Sequence, residues 1–150
     1  MHVLAAVGVG FLLAVLWFDL MFDVQARGNG PADVPVEVRD SIAAYYRRVT
    51  TTARPMNRLV ALAMLATLVG VVGEIVRHDV RAWVAWASLA LTAFGIGLAA
   101  ARTVRNAVRL GGQADPPGAQ SALARSILRD HILCFGAIGC TLILQVAIAR

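Results

Sequence analysis

The chain has 150 residues, of which 59% are apolar and 15% charged, whereas soluble globular domains run at about half apolar and about a quarter charged. That balance excludes an ordinary soluble domain, and the apolar runs leave no stretch for a second one. A formal charge of +5 and a pI near 10.6 would raise nucleic acid as a partner in a soluble protein. Here all 14 basic residues are arginines sorted by loop, which points to a membrane and to lipid phosphates, with no nucleic acid.

Four runs reach the length needed to cross a hydrocarbon core of about 30 Å: Val3 to Phe22, Leu59 to Val76, Ala82 to Ala101 and Ile132 to Ala149. The prediction is all-α, an integral membrane four-helix bundle forming one domain over residues 1–150. Its spans cover about 3–22, 59–76, 82–101 and 132–149, with a short amphipathic surface helix over about 35–52. Eleven arginines lie between spans one and two or between spans three and four, against three (Arg77, Arg81, Arg150) on the other side. By the positive-inside rule both long loops are cytoplasmic and both termini extracytoplasmic.

The first span has no basic leader and no small-residue cleavage site, so it is expected to be retained. Gly8, Gly10 and Ala14 allow close helix approach, and Ala5, Gly8, Leu12, Val15 and Asp19 form the expected inner seam. Trp17, Phe18 and Phe22 are candidate interface anchors. Asp19 and Asp23 break the apolar run. Four residues apart, they share a helix face, and acids at membrane depth need either a partner or a task.

Gly28-Asn29-Gly30-Pro31 reads as a turn. After it, Val38, Ile42, Tyr45 or Tyr46 and Val49 recur at helical spacing with Arg39, Asp40, Arg47 and Arg48 opposite. That pattern fits a helix on the membrane surface with its tyrosines at headgroup level, or a lid over the acidic end of the bundle. Pro55 starts the second spanning helix. Asn57 and Arg58 then sit at the depth of the two acids, Arg58 being the first candidate counter-ion for Asp19 and Arg102 the second. Ala63, Thr67, Gly70 and Glu74 form its inner face. Glu74, Arg77, His78 and Asp79 read as a solvated turn, since no metal-ligand spacing is present.

In the third span Ser88, Thr92, Gly95, Ala99, Arg102, Asn106 and Arg109 follow one another at threes and fours, a continuous face whose end is basic, and Gly111 and Gly112 terminate it. Arg102, Arg105 and Arg109 suit lipid phosphates, or the acids and an anionic ligand. The fourth helix starts near Gln120 and carries His131, Cys134, Ile138, Thr141 and Gln145 as a polar seam facing the bundle. Cys134 and Cys140 lie too far apart on one helix to bond to each other and read as small buried residues. All four spans thus bring polar groups to one end: Asp19, Asp23 and His131 as catalytic candidates, and Asn57, Arg58, Arg102, Asn106 and Asp130 as substrate-binding candidates. No metal site is expected, and the sequence names no cofactor.

The stretches AAYYRR, ARPMNRL and RSILRDHILC, within about 150 residues and four spans, resemble small bacterial membrane proteins of the broad anthrone oxygenase-like group. The resemblance implies the bacterial inner membrane and an oxidoreductase acting on hydrophobic aromatic molecules. The aromatic and Asn partners usual near the fourth-helix His in that group are absent here. Three readings follow: an enzyme or binder for a lipophilic molecule, which the resemblance implies is aromatic or quinone-like; a non-catalytic packing or assembly subunit, as a homo-oligomer or in a larger complex; and a proton-coupled small transporter, for which an inverted repeat and an acid at mid-membrane are lacking.

Overall fold

The computed structural model describes residues 1–27, 33–52 and 54–148, so the turn expected at Gly28-Pro31 lies outside the described residues. Every regular element among those described is helical: α1 (His2–Asp23), α2 (Val36–Arg47), α3 (Arg54–Arg77), α4 (Ala82–Leu98), α5 (Val104–Gly112) and α6 (Pro117–Ile143). Four stretches are long and apolar enough to cross a membrane, His2–Ala26, Pro55–Arg77, Ala82–Gly112 and Pro117–Ala147. Their outward residues, among them Val3, Leu62, Leu65, Val76, Trp86 and Ile143, are large, apolar and exposed, a surface suited to lipid. The spans pack as a ring in the order α1, α3, α4, α6.

The last two spanning stretches are longer than the expected runs, at 31 residues each. Thirty-one helical residues extend about 46 Å, some 16 Å beyond a hydrocarbon core. The excess is α5 and the first turns of α6, which begins at Pro117 and not near Gln120; its proline costs no hydrogen bond in the first turn. On this projecting platform lies α2.

The surface-helix expectation for this segment is corrected by its packing. Ile42, Ala43 and Tyr46 of α2 are buried with Ala107 and Leu110 of α5 and with Leu123, Ala124 and Ile127 of α6. The apolar stripe is real, but it faces protein. Gly111 makes this possible: a Cβ there would lie 2.7 Å from the Arg47 amide nitrogen. Arg47 then donates from Nε to the Gly111 carbonyl at 2.9 Å and from its guanidinium to Gln113 Oε1 at 2.6 Å.

The inner face expected along the third span holds through Ser88, Thr92 and Gly95 and then shifts. Thr103, Ala107 and Leu110 are buried, whereas Arg109 is exposed and Arg102 and Asn106 are only partly covered. Successive spacings of four from Gly95 through Ala99 and Thr103 to Ala107 need a turn wider than 3.6 residues. A π-helical stretch over Ala99–Thr103 supplies it and rotates the arginines away from the bundle axis.

At the end of the bundle opposite α2, Arg77, His78 and Asp79 form the exposed turn expected there, but Glu74 does not belong to it: it is fully buried on the inner face of α3. Gln145 Nε2 donates to Glu74 Oε2 at 2.8 Å and lies 3.1 Å from Ser88 Oγ, while His2 Nδ1 lies 3.1 Å from Glu74 Oε1. The helices meet closely here because small residues allow it: a Cβ on Gly70 would sit 2.8 Å from the Ala5 amide nitrogen, and one on Gly8 would strike Thr67. Of the two cysteines, Cys134 is buried as expected, with its thiol 3.4 Å from the Gly95 carbonyl, and Cys140 is exposed.

Candidate functional site

Helices α1 and α3 touch at one end and part at the other. From Pro55 to Ala66 no residue of α3 is buried, whereas Thr67, Gly70, Val71 and Glu74 are. Bulky Met56, Leu59, Val60 and Met64 replace the small residues of the crossing. The resulting cavity, of about 520 Å³, is lined by apolar residues of α1, α3, α4 and α6 and by Asp19, Tyr45, Tyr46, Asn57 and His131. Phe18, Met56 and Leu59 on its lining are exposed, so it opens sideways, on the apolar flank of the bundle.

Its polar end is assembled from three helices. The last turns of α1 place Asp19 and Asp23 on one face, and α2, packed across this end, sets a tyrosine against each. Tyr45 donates its hydroxyl to Asp19 Oδ1 and Tyr46 to Asp23 Oδ1, both at 2.6 Å. From α6, His131 Nδ1 lies 2.6 Å from Asp23 Oδ2, and His131 Nε2 lies 3.9 Å from Asp19 Oδ2. The Phe22 ring stacks on Tyr45 with centroids 4.1 Å apart and planes 10° apart, and Tyr46 meets Tyr45 edge-on at 5.2 Å, which fixes both phenols in direction.

Burial first, and the Asp19 carboxylate second, hold the Tyr45 phenol above the ordinary tyrosine range; burial and then Asp23 do the same for Tyr46. Both remain neutral donors around neutral pH. Asp23 is fully buried, and its two oxygens are both used. A carboxylate at Nδ1 fixes the imidazole in orientation and directs its other nitrogen, Nε2, outward. Here that direction is toward Asp19 and the cavity.

No protein-family model matches this chain, and no curated protein or solved structure matches it. The site therefore rests on its own geometry.

Of the residues expected at the site, Asp19, Asp23 and His131 do converge, and Asn57 reaches the cavity wall while donating to the Thr50 carbonyl at 3.3 Å. Arg58 is exposed and forms no ion pair among the described residues; it rides on the outward face of the splayed half of α3, so it is not the counter-ion of Asp19. Arg102 is not either. Its guanidinium lies 2.9 Å from Asp130 Oδ1, as an ion pair without the alignment of a hydrogen bond, and donates to Ser126 at 3.1 Å. Asn106 also reaches Ser126, at 3.4 Å. Arg102, Asn106 and Asp130 thus form a separate group outside the cavity lining.

Tyr45 and Tyr46 are site residues that sequence reasoning did not name as candidates, although the lid alternative lays their segment over the acids. The signal was the pairing itself, two acids four apart in an apolar helix and two tyrosines in the one segment able to lie over them. Among the described residues no three His, Cys, Asp or Glu side chains form a metal-holding group. What the arrangement offers is acid-base chemistry: a histidine oriented by a carboxylate, with a second carboxylate across a short gap, at the end of an apolar chamber.

Proposed function

We propose that this chain is a multi-pass membrane protein that admits a lipophilic molecule, aromatic or quinone-like, from the bilayer and exchanges a proton with it through His131, as an enzyme or a dedicated binder. The observation that carries this reading is that the laterally open apolar cavity ends on Asp19, Tyr45 and His131. Pockets for small molecules are mostly apolar with a few placed polar groups. Acids kept at membrane depth with a histidine and two phenols as partners, and no arginine, mark function more than packing. Asp23 orients His131, Asp19 stands opposite it, and the Phe11, Phe18 and Phe22 rings wall the apolar part. The resemblance to anthrone oxygenase-like proteins supports this reading, and the arginine distribution favours an orientation with both termini outside the cytoplasm.

Native mass spectrometry of the protein released from detergent tests this. A retained lipophile is expected, lost in an Ala99→Phe variant that fills the cavity but keeps the fold; ligand-free spectra in every lipid extract would refute it. A second reading, a packing or assembly subunit, draws on Gly10, Gly97 and Gly136, which have no neighbouring atom within 4 Å of a built Cβ and leave bare backbone for another helix. The same spectra report subunit number.

A further inference from the structure

The polar end of the cavity leaves two atoms without a hydrogen-bond partner. Tyr45 directs its proton to Asp19 Oδ1, Tyr46 to Asp23 Oδ1, and His131 Nδ1 faces Asp23 Oδ2. Among the described residues no hydrogen bond reaches Asp19 Oδ2 or His131 Nε2. They face each other at 3.9 Å, too far to bond directly, and both residues line the cavity. Neither atom is among the sealed, unpartnered polar atoms of the interior, so both are open to whatever occupies the chamber.

The separation selects what fits. One oxygen atom placed about 2.8 Å from each spans the gap with an angle of about 90° at that oxygen. Two carboxylates beside a neutral imidazole would bury two uncompensated charges, and one proton held between Asp19 and His131 halves that load. The pair then offers one donor and one acceptor, whichever atom carries the proton. A carbonyl or an ether only accepts, and an ammonium only donates. A hydroxyl does both at once.

We infer that the ligand presents a single hydroxyl group that bridges Asp19 Oδ2 and His131 Nε2, with its apolar body lying along the cavity between α1 and α3. This rests on the lipophile-binding reading above and sharpens it: of a quinone-like ring, the hydroxyl form is bound in preference to the carbonyl form. The bridge also defines a balanced proton exchange. As the hydroxyl O–H bond breaks and an N–H bond forms at His131 Nε2, the proton on Asp19 passes to the same oxygen, and no charge is left on the ligand. Run in reverse, the two protons return.

The test uses the full-length wild-type chain in nanodiscs, with empty nanodiscs subtracted, titrated with para-hexylphenol, para-hexylanisole, para-hexylbenzaldehyde and para-hexylbenzylamine. The phenol is expected to bind at least about tenfold more tightly than the ether and the aldehyde, the discrimination of a site whose polar groups the wrong ligand leaves unpaired. Asp19→Ala is expected to level the series. Equal binding of phenol, ether and aldehyde, or tightest binding of the amine, overturns the bridge and leaves the lipophile cavity standing. Binding of none of the four overturns the cavity reading and the bridge with it. Because the ligand series is read on the wild-type chain, the result does not depend on the variant folding.

Discussion

Tyr46 and His131 hold opposite oxygens of one carboxylate, that of Asp23, each at 2.6 Å. The three residues come from α2, α6 and α1, so one fully buried side chain fastens the lid helix to two spans. The two fastenings differ in strength. Losing either partner leaves the buried carboxylate on one donor, but truncating His131 also removes a buried ring and the group there able to carry a compensating proton.

His131→Ala is therefore expected to lower the stability of the detergent-solubilised protein by about 3 kcal/mol, and Tyr46→Phe by about 1 kcal/mol. Denaturant unfolding followed by circular dichroism measures both. Equal losses, or a larger loss in the tyrosine variant, would show that His131 does not hold Asp23.

The chain has two tyrosines, and both are at the site, so its tyrosinate absorbance reports on the site alone. Both phenols titrate above the ordinary tyrosine range, mainly through burial and then through the nearby acids. Folded protein taken past about pH 10, the usual tyrosine value, is expected to show no tyrosinate, while unfolded protein shows both. The sign follows from linkage. The unfolded state loses protons there and the folded state does not, so the stability contribution is constant below about pH 10 and falls as pH rises beyond it. Tyr46→Phe removes one of the two contributions to that alkaline loss and leaves the one from Tyr45. A folded-state midpoint near the ordinary value would place the phenols in water.

The spans, their number and the polar end of the bundle were legible in hydropathy and in the pair Asp19 and Asp23. The partners of those acids were not. A charge was sought for a charge, which selected Arg58 and Arg102, but a phenol serves a carboxylate without the desolvation cost of a second ion. Tyr45 and Tyr46 were visible as part of an amphipathic stripe, and amphipathicity says that a face is buried without saying against what. The displacement of Arg102, Asn106 and Arg109 from the inner face depends on the wide turn over Ala99–Thr103, which side-chain spacing reveals only when a run of fours is taken as a change in the backbone itself.

The glycines divide into two groups that stability measurements separate. Gly70→Ala forces a methyl group to 2.8 Å from the Ala5 backbone nitrogen and is expected to cost about 1–3 kcal/mol, as overpacking does. Gly136→Ala meets nothing within 4 Å and is expected to be neutral or to gain up to about 1 kcal/mol from helix propensity. If both variants lose stability alike, the close approach of α1 and α3 is not what holds that end together.

Orientation is checked with single cysteines at Gln113 and His78 in a background lacking Cys134 and Cys140. The arginine asymmetry predicts that a membrane-impermeant thiol reagent added to intact cells labels position 78 and spares position 113. The reverse pattern would turn the site toward the outside of the cell.

Gln145 touches Glu74 and Ser88, and Glu74 touches His2, so a single buried knot ties together all four spanning helices at the end away from the cavity. Helix α3 is thereby a lever with one end pinned. Met56 lies 18 residues from Glu74, an arm of about 27 Å at the helical rise. A tilt of about 5° about the pinned end swings the free tip by about 2 Å, enough to widen or narrow the mouth between α3 and α1 while the knot stays intact. The knot thus fixes α3 at the end away from the cavity, while beside the mouth the helix is held by partly buried side chains such as Ala63 and Met64, packed against Val9, Leu12 and Ile138, and by no fully buried one.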